Sequence, residues 1–319
     1  MPTMALLFIA DPLAGFKIHK DSTFAMMVEA DRRGHALWVC EAGDLVWRDG
    51  RVGAWVAHLQ LTGRTPDWFV AETAQWRPLN GFAAVLMRKD PPFDQSYLTA
   101  TWLLEMAERE GARVYNRPRA LRDCNEKLSI ARFSQFTVPT LVSAVTEDLL
   151  AFLAEHGDIV IKPLDAMGGA GIFRLRPGDP NLGSILEVAT RHGAEPVMAQ
   201  RFIPEIAEGD KRILLIDGEP VPYCLARIPA PGESRGNLAA GGRGEARPLG
   251  ARELEIAATL GPRLAAEGLF LVGLDVIGDW LTEINVTSPT CFREITAQTG
   301  CNVAARFMDA LEARIGGVA

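Results

Sequence analysis

Toward the C-terminal end, the segment Leu274-Asp275-Val276-Ile277-Gly278-Asp279-Trp280-Leu281-Thr282-Glu283-Ile284-Asn285 brings two carboxylates and an amide within reach of one another. Glu283 and Asn285 are two apart in a strand pattern, so they share a face. A three-residue turn at Gly278, Asp279 and Trp280 sets Asp275 opposite Glu283 on that face; a two-residue turn points it away. Hard oxygen donors grouped in this way suit Mg²⁺ carrying nucleotide phosphates. The plain alternative is a solvated strand face, and the apolar Ile284 and Val286 at the opposite positions count against it.

A second candidate is Lys162-Pro163-Leu164-Asp165-Ala166-Met167-Gly168-Gly169-Ala170-Gly171-Ile172. A lysine ending a buried strand and a glycine-rich turn suit polyphosphate, because backbone N–H groups can approach the oxygens while the ammonium balances charge. An ordinary flexible hairpin has the same pattern, and neither familiar phosphate-loop fingerprint is present. The third candidate is a ribbon turning at Asp217-Gly218, which aligns Arg212 and Arg227 on one face. Paired guanidinium forks recognise carboxylate or phosphoryl groups, or simply line a salt-bridged surface. Arg235, Arg243 and Arg247 lie in a Gly-, Pro- and Arg-rich stretch, 229–250, read either as a solvated loop or as a lid over an anion.

Other reactive types carry less. His19, His35, His58, His156 and His192 are scattered without metal-ligand spacing. Ser288 lacks a nucleophile-elbow setting, and Cys291 reads as a small buried residue. Tryptophans show no stacking order with arginine that would suit single-stranded nucleic acid.

These side chains need rigid carriers. Residues 4–10 are an apolar run, and Asp21-Ser22 caps a helix whose Phe24, Met27 and Val28 follow a 3.6-residue period up to Gly34. Strands at 36–40, 83–88 and 113–115, with a helix at 95–109, continue the alternation. That order predicts an N-terminal α/β domain, a doubly wound parallel sheet over residues 1–122. Asp123 and Glu126 read as a capping box opening a helix to about Phe136. A helix at 147–156 and strands at 159–162 and 172–175 complete an α+β unit over 123–195. Residues 196–319 hold the arginine ribbon, a helix at 252–267, strands at 270–277 and 281–286, and a last helix at 302–315.

Composition bounds the function. The 319 residues include 33 basic and 40 acidic side chains, a net charge of −7, and 48% apolar residues. That is core-forming usage with no general electrostatic grip on nucleic acid. The cysteines (Cys40, Cys124, Cys224, Cys291 and Cys301) are odd in number and form no C-x-x-C pair, which fits a reducing cytoplasm. No apolar run approaches the roughly 20 residues of a membrane helix, and Asp11 ends an N-terminal run that has no basic flank. The expectation is a cytoplasmic protein without nucleic-acid or membrane partners.

Five longer words carry a resemblance: Met87-Arg88-Lys89-Asp90-Pro91-Pro92-Phe93-Asp94, Leu121-Arg122-Asp123-Cys124-Asn125-Glu126-Lys127-Leu128, Gly209-Asp210-Lys211-Arg212, Arg235-Gly236-Asn237-Leu238-Ala239-Ala240-Gly241-Gly242-Arg243-Gly244, and Thr282-Glu283-Ile284-Asn285-Val286-Thr287-Ser288-Pro289-Thr290. With these words the chain resembles the bacterial glutathione synthetases of the ATP-grasp superfamily, from Asp11 to the last helix. The resemblance implies a two-part ATP-grasp domain after the first domain. In it Lys127 and Lys162 hold ATP phosphates beneath Gly168, Gly169, Ala170 and Gly171. Gln200, Phe202 and Ile203 lie on a hinge strand whose backbone reads adenine, and Asp210 lies near the ribose. Asp275, Glu283 and Asn285 hold Mg²⁺, with Mn²⁺ as the substitute ion, and Arg212 stabilises the transferring phosphoryl group. Arg227, Arg235, Asn237, Ser288, Pro289 and Thr290 surround γ-glutamylcysteine and glycine, residues 228–244 form a closing loop, and Arg88 stands on the substrate side. Glutathione, ADP and phosphate are the implied products, and a homotetramer the implied assembly. A related ligase for another peptide acid and a nucleotide-binding module without turnover are the alternatives.

Overall fold

Leu6, Leu7, Phe8 and Ile9 are all fully buried, so β1 (Ala5–Ile9) is covered on both faces, as a central parallel strand must be. The computed structural model describes residues 3–230, 232, 236 and 241–317. Leu6 and Phe8 share a core with Met26 and Met27 of α1 (Ser22–Arg32), which opens on the expected Asp21 cap: Asp21 Oδ1 accepts from the Phe24 amide at 2.7 Å. Leu7 and Ile9 pack in the other core. The rest of the first unit is β2 (Ala36–Cys40), β3 (Leu45–Arg48), β4 (Arg51–Leu61), β5 (Phe69–Ala71), β6 (Gln75–Pro78), β7 (Ala84–Met87), α2 (Gln95–Arg109), β8 (Val114–Tyr115) and α3 (Pro118–Asp123). Tyr97 and Leu104 of α2 fill the core under Leu7 and Ile9.

Strands β2, β1, β7 and β8 are parallel in that order, as expected. The eight-stranded sheet is nevertheless mixed, because β4 pairs antiparallel with β2, β3, β5 and β6. The strand β1 lies between β2 and β7, so the chain leaves it in opposite directions. Such a switch point opens a crevice beyond the strands' carboxyl ends.

Asp123 does not cap a helix; it ends α3. The next segment, Leu128–Phe136, is 3-10 rather than α-helical, with a break at Phe133. Glu126 is drawn elsewhere: its Oε1 accepts from the Val286 amide (2.8 Å), the Thr287 amide (3.0 Å) and the Thr287 hydroxyl (2.9 Å). The side chain therefore faces the C-terminal sheet rather than the start of the 128–136 segment, whose N-cap residue makes no side-chain cap, and this cross-tie holds Lys127 over that sheet.

A second sheet, ordered β11-β10-β12-β9, contains β9 (Thr140–Ser143), β10 (Ile159–Pro163), β11 (Phe173–Leu175) and β12 (Val197–Arg201), with α4 (Thr146–His156) and α5 (Leu182–Ala189). Its pairing extends through Arg201, beyond residue 195. Its core is small and its own: Leu149, Leu153, Ile159, Ile161, Leu175, Leu186, Val197 and Ala199.

The third sheet runs β15-β14-β13-β16-β17: β13 (Asp210–Ile216), β14 (Glu219–Ile228), β15 (Arg243–Pro248), β16 (Leu271–Ile277) and β17 (Trp280–Asn285). Helices α6 (Ala251–Ala266), α7 (Phe292–Thr299) and α8 (Val303–Gly316) accompany it. The strand β15 corrects the loop reading of 229–250 in its second half. The side chain of Asn116 ties this sheet to the first, donating to Leu271 O and Val286 O (both 2.8 Å) and accepting from the Leu271 amide.

Candidate active site

Two hairpins place the charged groups. Between β13 and β14 the Asp217-Gly218 turn pairs Ile216 with Glu219, and an irregularity then moves the register from Leu215↔Pro220 to Ile213↔Cys224. The shift adds two residues to β14, an even number, so Arg212 and Arg227 still share a face; Arg227 now stands opposite Asp210. Between β16 and β17 the turn has two residues, not the expected three, since Ile277 pairs with Trp280. Alone it would turn Asp275 away. A bulge at Thr282 supplies the missing residue and restores Asp275↔Glu283 and Gly273↔Asn285. Thr282 is also used twice, its hydroxyl donating to Asp275 O (3.1 Å) and its carbonyl accepting from Lys162 Nζ (3.1 Å).

Asp275 is the hub. Arg212 binds it with both arms of its fork, Nη2 to Oδ2 at 2.9 Å; Arg227 Nη2 lies 2.8 Å from Oδ2 and Asn285 Nδ2 donates to the same oxygen at 3.1 Å. Burial alone would raise its pKa, but the two guanidinium groups hold the carboxyl well below the usual range. Asp210 goes the other way. Burial, opposed by Arg227 and reinforced by Asp275 and Glu283, pushes it up to about 7, and its Oδ1 is buried without a hydrogen-bond partner. Glu283 Oε1 lies 3.8 Å from Lys127 Nζ and 3.7 Å from Lys162 Nζ. Burial lowers the Lys162 pKa, with Glu283 opposing. Sequence reading missed Gly273: a Cβ there would stand 2.8 Å from Arg212 Cδ, so only glycine lets that side chain cross to Asp275.

These groups line one cavity of about 530 Å³ between the second and third sheets, with loops of the first sheet at its far end. Lys127, Lys162, Gly168, Gly169, Ala170, Gln200, Phe202, Ile203, Asp210, Arg212, Arg227, Asp275, Glu283, Asn285, Ser288, Pro289 and Thr290 all contribute. Gly171 does not; its positive φ (+68°) and close approach to Pro163 shape the turn instead. The Phe202 amide already donates to Asp158 O (2.9 Å) and is not free for a base, while the Gln200 side chain spends one of its two N–H groups on Thr140 Oγ1 (3.1 Å). Arg88 is buried; it donates to Pro289 O (3.0 Å) and Thr23 Oγ1 (3.1 Å), positioning the 288–290 segment. Arg243 and Arg247 sit on β15 beside Glu245, a solvated strand rather than a lid. Cys291 is buried, as read. Arg235 and Asn237 lie outside the described residues, as does much of 228–244.

Among the described residues no three His, Cys, Asp or Glu side chains assemble into a metal cluster. The donor set is two carboxylates and an amide beside two lysines, which fits a cation arriving with phosphate oxygens rather than a resident ion.

Two family models cover the chain: the N-terminal domain of prokaryotic glutathione synthetase over residues 4–122, and its ATP-grasp domain over 126–300. The chain belongs to the prokaryotic glutathione synthetase family. Glutathione synthetase of Ralstonia nicotianae is 58% identical over 313 residues, covering 98% of this chain and 97% of that protein. Glutathione synthetase of Escherichia coli K12 is 53% identical over 307 residues, 96% and 97% of the two chains. More distant solved structures share the fold. D-cycloserine synthetase DcsG matches at a TM-score of 0.67 and 18% identity over 97% of this chain and 99% of its own. ATP-grasp ligase PsnB, in a complex with minimal precursor, Mg and ADP, matches at 0.62 and 21% over 99% of each. Prokaryotic glutathione synthetases thus supply the frame for this cavity.

Proposed function

We propose that this cavity joins glycine to the cysteinyl carboxylate of γ-glutamylcysteine at the expense of ATP, releasing glutathione, ADP and phosphate. The observation that carries the reading is one enclosed face on which Arg212 and Arg227 meet Asp275 while Lys127 and Lys162 converge on Glu283. Identity of more than half over nearly full length to glutathione synthetases favours this ligase over one acting on another peptide acid.

A carboxylate does not accept an amine, because its oxygen is a poor leaving group. Transfer of the ATP γ-phosphoryl to that oxygen makes an acyl phosphate, whose phosphate departs when the glycine amine attacks. Lys127 and Lys162 bind the phosphates under Gly168, Gly169 and Ala170. Phe202 and Ile203 supply the apolar slot for the base, and the orphaned Asp210 Oδ1 accepts from a ribose hydroxyl. Asp275, Glu283 and Asn285 would hold Mg²⁺, or Mn²⁺, which when bound neutralises charge on the phosphate oxygens. Arg212 stabilises the charge developing on the transferring phosphoryl. Arg227, with Arg235 and Asn237, orients the acceptor carboxylate and glycine against Ser288, Pro289 and Thr290. Of the 228–244 segment, the part between β14 and β15 closes over the site and keeps water from the acyl phosphate.

The first division of the chain falls at 122/123; the second, expected at 195/196, belongs after Arg201 because β12 pairs within the second sheet, and the assembly proposed is a cytoplasmic homotetramer. No helix of the described residues is long and apolar enough to cross a membrane. Sedimentation velocity tests the assembly; a monomer would remove that part. The chemical test is oxygen transfer. γ-Glutamylcysteine labelled with ¹⁸O in the cysteinyl carboxylate should deliver one ¹⁸O to the phosphate formed; unlabelled phosphate contradicts the acyl phosphate route.

A further inference from the structure

Three consecutive residues between α3 and the 128–136 segment reach in different directions. Lys127 reaches both ways: its Nζ donates to Ala166 O (2.5 Å) in the glycine loop and lies 3.8 Å from Glu283 Oε1 on β17. Asn125 reaches only toward the second sheet. Its Nδ2 donates to Leu164 O (3.2 Å), while its Oδ1 accepts from the Lys127 amide (3.1 Å) and the Leu128 amide (2.9 Å). Side chains two apart therefore hold carbonyls two apart at the start of the glycine loop, and one amide group ties that loop to the Lys127 backbone. The Leu164 side chain packs against one of the larger cores, which steadies the carbonyl that Asn125 holds. Asn125 itself is exposed and lines no part of the cavity.

Glu126, between them, turns to the third sheet. Its carbonyl accepts from the Ile284 amide (2.8 Å), and its Oε1 takes the Val286 and Thr287 amides and the Thr287 hydroxyl. These bonds fix the chain just beyond Glu283 and Asn285 and just before Ser288, Pro289 and Thr290, whose other support is Arg88 at Pro289 O. We infer that Asn125 and Glu126 are positioning residues for opposite ends of the reaction, an assignment that rests on the ligase reading above. Asn125 sets the glycine loop against Lys127 for the nucleotide phosphates. Glu126 sets the 286–290 segment for the acceptor peptide and glycine. A single peptide bond joins the two grips, so the phosphate cover and the acceptor wall share one support.

The test separates the two ends. Titration calorimetry with Mg²⁺ and ADP is compared with adenosine, which has no phosphate for the loop to cover. Asn125→Ala should weaken ADP about 3- to 10-fold, the range of one neutral hydrogen bond, and leave adenosine unchanged. Asn125→Ser keeps an acceptor for the Lys127 amide but is too short to reach Leu164 O, so it should show the same ratio. A normal ratio in either variant, or equal loss of both ligands, reduces Asn125 to a turn residue and overturns its assignment. Glu126→Ala should raise KM for γ-glutamylcysteine and glycine about 10- to 100-fold, the range of hydrogen bonds to a charged group, with ADP affinity changed far less. Glu126→Gln, which keeps an acceptor oxygen, should recover most of that loss, and Thr287→Val, which removes one of the three donors, should cause a smaller one. Unchanged acceptor constants, or a loss confined to ADP, overturn the Glu126 assignment. Failure of the unsubstituted protein to form glutathione from γ-glutamylcysteine and glycine overturns the ligase reading and the acceptor role together, an outcome distinct from a normal ADP-to-adenosine ratio.

Discussion

Arg212, Arg227 and Asn285 all donate to Asp275, so its two oxygens are shared among three partners before any substrate arrives. The two sides of this cluster are not equivalent: removing Arg212 leaves Asp275 bound to Arg227, whereas removing Asp275 strands the buried Arg212 guanidinium and leaves Arg227 with Asp210 alone. Arg212→Ala should therefore keep ATP binding nearly intact while kcat falls about 100- to 1000-fold. Gly273→Ala should reproduce part of that loss, since its Cβ would displace Arg212. Steady-state kcat beside the melting temperature checks both; Gly273→Ala with full kcat would remove the glycine from this role. For Glu283→Gln, the Mg²⁺ concentration giving half the maximal rate should rise about 10- to 100-fold. Indifference to the change would sink the metal assignment.

At the scale of elements, the hairpins were legible because Asp217-Gly218 and the alternation of apolar residues announce them. Their registers were not. The expected pairing of Asp275 with Glu283 is present, but a two-residue turn and the Thr282 bulge produce it together. A bulge is set by backbone pairing, and nothing in the identity of Thr282 marks it. The strand β15 escaped notice for a related reason: its Gly, Pro and Arg side chains form no apolar alternation, and its pairing with β14 rests on backbone groups. Residues 41–82 mix tryptophan, glycine and arginine without a helix period, hiding the strands beside β4. Glu126 looked like a cap because sequence spacing cannot show the Val286 and Thr287 amides that claim it. The polar end of α1 yields a prediction. Hydrogen bonding to Arg32, opposed by burial and aided by Arg33, lowers the Glu29 pKa from 4.5 to about 2. The folded value lies below the unfolded one, so its stabilisation is present above about pH 4.5 and is lost as pH falls toward 2. Glu29→Gln should unfold at lower urea than the unsubstituted protein at pH 7 and lose less on acidification. Parallel curves would refute the assignment.

Across the whole molecule, the first and third sheets are welded: side chains of both fill the same two cores, and Asn116 bridges them. The four-stranded sheet has a core of its own, and it joins the rest both across the cavity and through Met198, which is buried in one of the two larger cores with Val142 and Leu164 against it. That division lets one unit close on a substrate without disturbing the platform that holds Arg212, Asp275 and Glu283. Closure matters because the proposed acyl phosphate hydrolyses in water. Deleting residues 231–242, which stop short of β15, should raise ADP release relative to product; tight coupling in that deletion would argue against a water-excluding loop. The central claim is tested most directly by following ADP release with Mg²⁺ and ATP, adding γ-glutamylcysteine and glycine separately and then together, with mass detection of the product. Sustained ADP release that requires both, with glutathione formed in equal amount, is the predicted result. No turnover with this pair, but turnover with another peptide acid and amine, would contradict it.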